Sequence, residues 1–263
     1  LKENRAFMDA SHRGWLQKYM HDPMLTPEQL QEVHEHRNDR YELRSNEDVV
    51  AVGDGWHVLC DSMGGRGLGV ARVMGEAVHI ATEETLTLLR QYDAVLSVEE
   101  ISAAMREIPN YAHKLRECLQ ENDDVMRALT HRRIRWSDFG TTMDALYYSP
   151  RLNRAFVAHV GDSRTYVVVP GHPPKVQQET VDHAKKGNHP PTLTRCVLLS
   201  KQEVDVDVTV MQAPPGTRFL TVSDGCFSAH EEIHPSKPFE QIVTQYAALP
   251  QKQMAEQLRR YAL

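Results

Sequence analysis

The feature that most constrains this sequence is an aspartate set three times beside glycine or serine, directly after a short apolar run. Trp56 to Leu59 leads into Cys60-Asp61-Ser62-Met63-Gly64-Gly65, Ala155 to Val160 into Gly161-Asp162-Ser163-Arg164, and Arg218 to Val222 into Ser223-Asp224-Gly225. Short runs rich in Val, Leu or Phe and bounded by turn residues read as buried strands. A carboxylate at the end of such a strand, beside a tight turn, is a good ligand for a hard cation. Three such ends from distant parts of the chain predict one shared magnesium or manganese site, and so a candidate metallohydrolase.

Composition narrows the alternatives. The 263 residues suffice for one large domain or two small ones. A formal net charge of -6 argues against a dedicated binder of nucleic acid or anionic membrane. No apolar run approaches the roughly 18 residues of a membrane helix. The start, Leu1-Lys2-Glu3-Asn4-Arg5, has neither a signal-peptide core nor an initiator Met, which suggests a processed or trimmed chain. Cys60, Cys118, Cys196 and Cys226 form no C-x-x-C pair, against a Cys-rich zinc site. Cys60 and Cys226 adjoin aspartate motifs and read as small buried residues beneath a polar site. Free thiols suit a reducing cytoplasm.

The pattern alternates between helix and strand. Residues 4 to about 20 carry Phe7, Met8, Trp15, Leu16, Tyr19 and Met20 roughly on one helical face, and Thr26-Pro27-Glu28-Gln29 opens a second helix. Asp48 to Val52 and Trp56 to Leu59 read as a hairpin turned at Gly53-Asp54-Gly55. Helices follow from about Gly69 to Tyr92, and from a capping box at Ser97-Val98-Glu99-Glu100 towards Leu129 with a break at Pro109. Further strands are expected over Thr141 to Tyr148, Ala155 to Val160, Thr165 to Val169, Val176 to Thr180, Val204 to Met211 and Arg218 to Val222, with helix from Pro238 onward. This order predicts one α+β domain over residues 39–263, preceded by a helical extension over 1–38.

Seven segments, in order, resemble the motifs of the bacterial metal-dependent protein phosphatases, the type 2C family. They are Arg44-Ser45-Asn46-Glu47-Asp48, Asp61-Ser62-Met63-Gly64-Gly65, Phe139-Gly140-Thr141-Thr142, Val160-Gly161-Asp162-Ser163-Arg164, Thr180-Val181-Asp182-His183, Leu193-Thr194-Arg195 and Ser223-Asp224-Gly225. The resemblance implies a four-layer αββα sandwich of two antiparallel sheets flanked by helices, with a metal centre at one end. It implies hydrolysis of phosphoserine and phosphothreonine on proteins by a water activated between two Mn2+ or Mg2+ ions, a third ion joining them, and a link to Ser/Thr kinase pathways. By that resemblance Asp61 bridges two metals, the Ser62 carbonyl adds a ligand, and Asp224 binds the second metal. Glu47 and Asp48 act directly or through bound water, Asp162 helps hold the third metal, and Arg44 grips substrate phosphate.

Several positions depart from the pattern. Ser62 replaces a glycine, at a cost of about 1 kcal/mol if that position needs a positive φ. No aspartate follows Asp224 to supply a last ligand, which suggests that the family's final strand is missing from this sequence. Only Ala184 to Pro191 separates Asp182-His183 from Thr192-Leu193-Thr194-Arg195, a shortened flap. Met63 stands where some relatives carry a histidine acid, leaving His183 as a conceivable donor, though its type more often serves structure. Ser62 and the missing aspartate motivate an alternative, an impaired relative that binds phosphoproteins without hydrolysing them. A rival motif, His230-Glu231-Glu232-Ile233-His234, fits the zinc-protease H-E-x-x-H, but Pro235 directly after it argues against a continuing helix. The run His131-Arg132-Arg133-Ile134-Arg135-Trp136 reads as a solvated basic loop.

Overall fold

Side-chain alternation sorts the strands of this protein into faces, and the faces decide the layers. The computed structural model describes residues 48–63, 70–120, 140–185, 192–198, 203–228, 231, 234 and 236–259. The expected N-terminal helices, Arg44, Glu47 and the basic run at 131–136 lie outside the described residues. The strands are β1 (Val49–Gly53), β2 (Trp56–Cys60), β3 (Ser62–Met63), β4 (Gly140–Thr141), β5 (Met143–Ser149), β6 (Arg154–Val160), β7 (Arg164–Val169), β8 (Lys175–Gln178), β9 (Ala184–Lys185), β10 (Thr192–Leu193), β11 (Val197–Leu198), β12 (Asp207–Gln212) and β13 (Arg218–Val222). The helices are α1 (Val70–Tyr92), α2 (Val98–Arg106), α3 (Ile108–Gln120), α4 (Phe239–Tyr246) and α5 (Gln251–Arg259).

The main sheet runs β1-β2-β5-β6-β12 and the second β13-β7-β8, every pairing antiparallel. One face of the main sheet presents Trp56, Val58, Cys60, Met143, Ala145, Tyr147, Phe156, Ala158 and Val160, packed with Met74, Ala77, Val78, Ile101, Met105 and Ile108 of the first three helices. On the second sheet Tyr166, Val168, Leu220 and Val222 pack with Phe239, Ile242, Val243, Met254 and Leu258 of α4 and α5. The remaining faces meet each other. His57 Nε2 reaches Thr221 Oγ1 at 2.7 Å, and Thr165 Oγ1 donates to Asp144 Oδ1 at 3.2 Å, both bonds crossing between sheets. The layers are therefore helix, sheet, sheet, helix, an αββα sandwich.

Local chemistry explains where the elements end. Asp54-Gly55 turns the first hairpin, with Gly55 at φ +76° as a tight turn requires. Ser97 caps α2: its Oγ accepts the Glu100 N–H at 3.2 Å while Glu100 accepts the Ser97 N–H at 2.8 Å. The expected break at Pro109 falls earlier, at Glu107, and Pro109 lies in the first turn of α3, where its missing N–H has no partner to lose. The strand expected over Thr141 to Tyr148 divides at Thr142. Its N–H turns to the Asp61 carbonyl, and β4 joins β3 and β11 in a separate small sheet. β12 starts at Asp207, later than expected. The C-terminal helix divides between Tyr246 and Gln251, where Arg218 donates to the carbonyls of Ala247 and Leu249 and ties the α4–α5 turn to the second sheet.

Candidate metal centre

Strand register brings four aspartates to one end of the sandwich. Val49 pairs with Cys60, so extending that hairpin by one residue sets Asp48 opposite Asp61. Val222 pairs with Arg164, so extending that ladder by two sets Asp224 opposite Asp162. The Asp61 and Asp224 carboxyls interact, which joins the pair from one sheet to the pair from the other.

The electrostatics follow from this crowding. Burial, then repulsion from Asp48 and Asp224, push the Asp61 carboxyl up to about 9. Burial and the Asp224 charge push Asp162 up to about 6. Burial and the same carboxylates push the Cys226 thiol up to about 11, which keeps it a protonated, inert neighbour. Among the described residues no three His, Cys, Asp or Glu side chains draw in to ligand spacing about one point. The hard oxygen donors of these carboxylates suit a cation such as Mn2+ or Mg2+ far better than a soft metal.

Short polar side chains hold the aspartates in place. Thr142 Oγ1 accepts the Asp61 N–H at 2.9 Å and lies 2.9 Å from Ser163 Oγ. Ser223 Oγ donates to Asp48 Oδ2 at 3.2 Å. Gly161 takes φ +123°, and a Cβ there would lie 2.5 Å from Thr142 Cγ2, so only glycine fits. These positioning residues had no assigned role in the sequence reading. Their signal was adjacency, since Ser163 and Ser223 neighbour aspartates and Thr142 closes a quoted motif.

Ser62 does not carry the strain anticipated for it. It is buried in strand β3, its Oγ donates to Thr141 Oγ1 at 3.2 Å, and among the described residues Asn153 is the one non-glycine at positive φ. Asp182 is taken up by an arginine. It receives Arg164 Nε at 3.0 Å and Nη2 at 2.7 Å, while Arg164 Nη1 donates to Glu231 at 2.7 Å and the guanidinium stacks 3.7 Å from the Phe227 ring centre. Glu231 also accepts the Phe239 N–H at 2.8 Å. The glutamate of the H-E-x-x-H segment is thus committed to an ion pair and a helix start, and His234 lies outside any helix. That arrangement lacks the helix a zinc peptidase needs.

Comparison with known proteins matches this geometry to one family. The family model described as protein phosphatase 2C matches residues 33–261. The serine/threonine protein phosphatase PstP of Mycobacterium tuberculosis is 25% identical over 201 residues, 72% of this chain and 35% of the relative, so the chain spans about a third of that relative's length. A solved catalytic domain of PstP, in complex with 2 manganese ions, has a TM-score of 0.58 at 21% identity, covering 83% of this chain and 85% of that one. The serine/threonine phosphatase of S. agalactiae has a TM-score of 0.54 at 20% identity, covering 83% and 87%. With the sandwich, the register-paired aspartates and a family match over most of its length, the chain belongs to the protein phosphatase 2C family.

Proposed function

We propose that this chain is a metal-dependent protein serine/threonine phosphatase, hydrolysing phosphoserine and phosphothreonine on proteins. The observation that carries the proposal is the convergence of Asp48, Asp61, Asp162 and Asp224, with Asp61 pushed up to about 9 by burial and its neighbours. A cluster so unfavourable to its own charge is matched to added positive charge. When bound, a pair of Mn2+ or Mg2+ ions supplies the charge that clamps a phosphoryl group and acidifies an attacking water.

The chain's own residues would then divide the work. Asp61, which meets Asp224 of the other register pair, would hold both ions, with Asp224 on one of them. The Ser62 carbonyl would add a ligand on the Asp61 side, Asp48 and Glu47 would hold bound water, and Asp162 a third ion. Arg44 would grip the substrate phosphate, because Arg164 is fully engaged by Asp182 and Glu231. Substrates would be phosphoproteins made by Ser/Thr kinases, met in the cytoplasm. Among the described residues no helix is long and apolar enough to cross a membrane. The test is turnover of a phosphothreonine peptide with Mn2+, wild type against Asp61→Asn. Mn2+-dependent turnover lost in the variant is expected, and wild-type protein without turnover would sink the reading.

A further inference from the structure

We propose that His183, held from behind by Asp207, is a positioning residue that aims Asp162. The inference rests on the function proposed above. Gly161 is the hinge of the β6–β7 turn, and His183 grips its peptides from two sides. The Gly161 N–H donates to His183 Nδ1 at 3.0 Å, and the Gly161 carbonyl accepts the His183 N–H at 2.7 Å. Asp162 is the next residue.

The hydrogen bonds fix the imidazole tautomer. A backbone N–H can only donate, so Nδ1 carries no proton and Nε2 does. The Nε2–H donates to Asp207 Oδ2 at 2.9 Å; Arg195 Nη1, 3.1 Å from the same nitrogen, has its shorter bond to the other Asp207 oxygen at 2.8 Å. The ring is buried and tilts against the His159 ring at 4.6 Å between centres. With both nitrogens engaged, His183 is a fixed acceptor rather than a proton donor to a leaving group.

The same residue connects to the segment after it. The His183 carbonyl accepts the Thr194 N–H at 2.7 Å, closing the base of the short β9–β10 hairpin, and Arg195 follows directly. The hairpin base, Arg195, Asp207, His183 and Gly161 form one hydrogen-bonded line that ends at the Gly161 peptide, one residue before Asp162. A residue that orients a ligand from behind typically changes metal affinity by about tenfold or more.

The experiment measures Mn2+ binding by calorimetry, and free Mn2+ by its paramagnetic resonance signal, on the full chain alongside phosphopeptide turnover. His183→Ala and His183→Gln remove the acceptor facing Gly161 and are expected to weaken the Mn2+ site that Asp162 would hold about tenfold. His183→Asn, whose amide oxygen can stand near the Nδ1 position, is expected to recover most of that loss. Asp207→Ala, at a half-exposed position that should leave folding intact, is expected to weaken the same site about tenfold, the low end for a group that orients a ligand from behind. Melting in EDTA reports folding separately. Wild-type binding in both His183→Ala and Asp207→Ala would overturn the inference, as would His183→Asn binding no better than His183→Ala. If the His183 variants do not fold, unchanged Mn2+ binding in Asp207→Ala alone overturns it. Wild-type protein that binds no Mn2+ overturns the function reading itself, and this inference with it.

Discussion

Thr142 and Asp61 grip each other twice: the Thr142 hydroxyl oxygen accepts the Asp61 N–H at 2.9 Å, and the Thr142 N–H donates to the Asp61 carbonyl at 2.8 Å. The same hydroxyl reaches Ser163, one residue beyond Asp162. One residue therefore ties together both carboxylate-bearing turns. Thr142→Val keeps the shape and removes the hydroxyl, leaving a buried N–H and a buried serine hydroxyl short of a partner. The expected loss is about 1–3 kcal/mol in urea unfolding, with weaker Mn2+ binding. Thr142→Ser, which keeps the hydroxyl, should restore the Mn2+ affinity. Equal Mn2+ affinity in Thr142→Val and wild type would show that the clip does not position the site.

Metal-free stability should fall as pH rises. The folded Asp61 holds its proton up to about 9, whereas the unfolded carboxyl releases it near 4, the ordinary aspartate range. Between those values the folded state binds more protons than the unfolded one, so raising the pH favours unfolding. Melting in EDTA should therefore give a lower Tm at pH 8.5 than at pH 6. Asp61→Asn should flatten that slope and raise the metal-free Tm while abolishing turnover. A metal-free Tm that rises from pH 6 to 8.5 would contradict the crowded-carboxylate account.

Glu231 offers a clean separation between the phosphatase and peptidase readings of its segment. Its carboxylate serves Arg164 and the start of α4. Glu231→Gln should lower stability by about 1–3 kcal/mol, the scale of a charged hydrogen bond, while leaving Mn2+-dependent turnover within a few-fold. Arg164→Ala should destabilise more, by about 3–5 kcal/mol, because it strands two carboxylates. Loss of all turnover in well-folded Glu231→Gln would place Glu231 in the chemistry and overturn this division.

The sequence made the ladder ends legible because strand-ending aspartates beside turn residues are a local signal. The first hairpin was legible but its register was not: the expected turn of Gly53-Asp54-Gly55 is the shorter Asp54-Gly55, and the pairing of Gly53 with Trp56 is what sets Asp48 opposite Asp61. The break at Thr142 was not legible, because it depends on a peptide group 81 residues away. The short strands at Ser62–Met63 and Val197–Leu198 exist only as partners of Gly140–Thr141, and two residues carry no periodicity of their own. His183 read as a structural histidine. Its tautomer and its grip on Gly161 needed the two strands on either side of it to be placed first.

Between the sheets, His159 and Asp144 form a buried pair whose removal should be strongly asymmetric. His159 Nδ1 lies 3.1 Å from Asp144 Oδ1, and Nε2 lies 3.1 Å from the Val181 carbonyl. Burial opposes charge on His159, but the Asp144 carboxylate overrides it and holds the imidazole pKa above its usual value. Burial likewise raises Asp144 despite the nearby histidine. The folded pair thus keeps its proton longer than the separate groups would, and the histidine's share of the stabilisation is full below about 6.5, its ordinary value, and lost as pH rises through the raised one. His159→Leu leaves the carboxylate buried with its ring partner gone, and at pH 6 the expected loss is about 3–5 kcal/mol. The double variant Asp144→Val with His159→Leu removes the stranded charge and should lie closer to wild type than His159→Leu alone. Denaturant unfolding of all four members of the cycle at pH 6 measures the coupling. Additive losses would mean that the two residues stabilise the sheet interface independently. A large coupling that shrinks towards alkaline pH would show that the shared proton ties β5 to β6 on the face turned towards the second sheet.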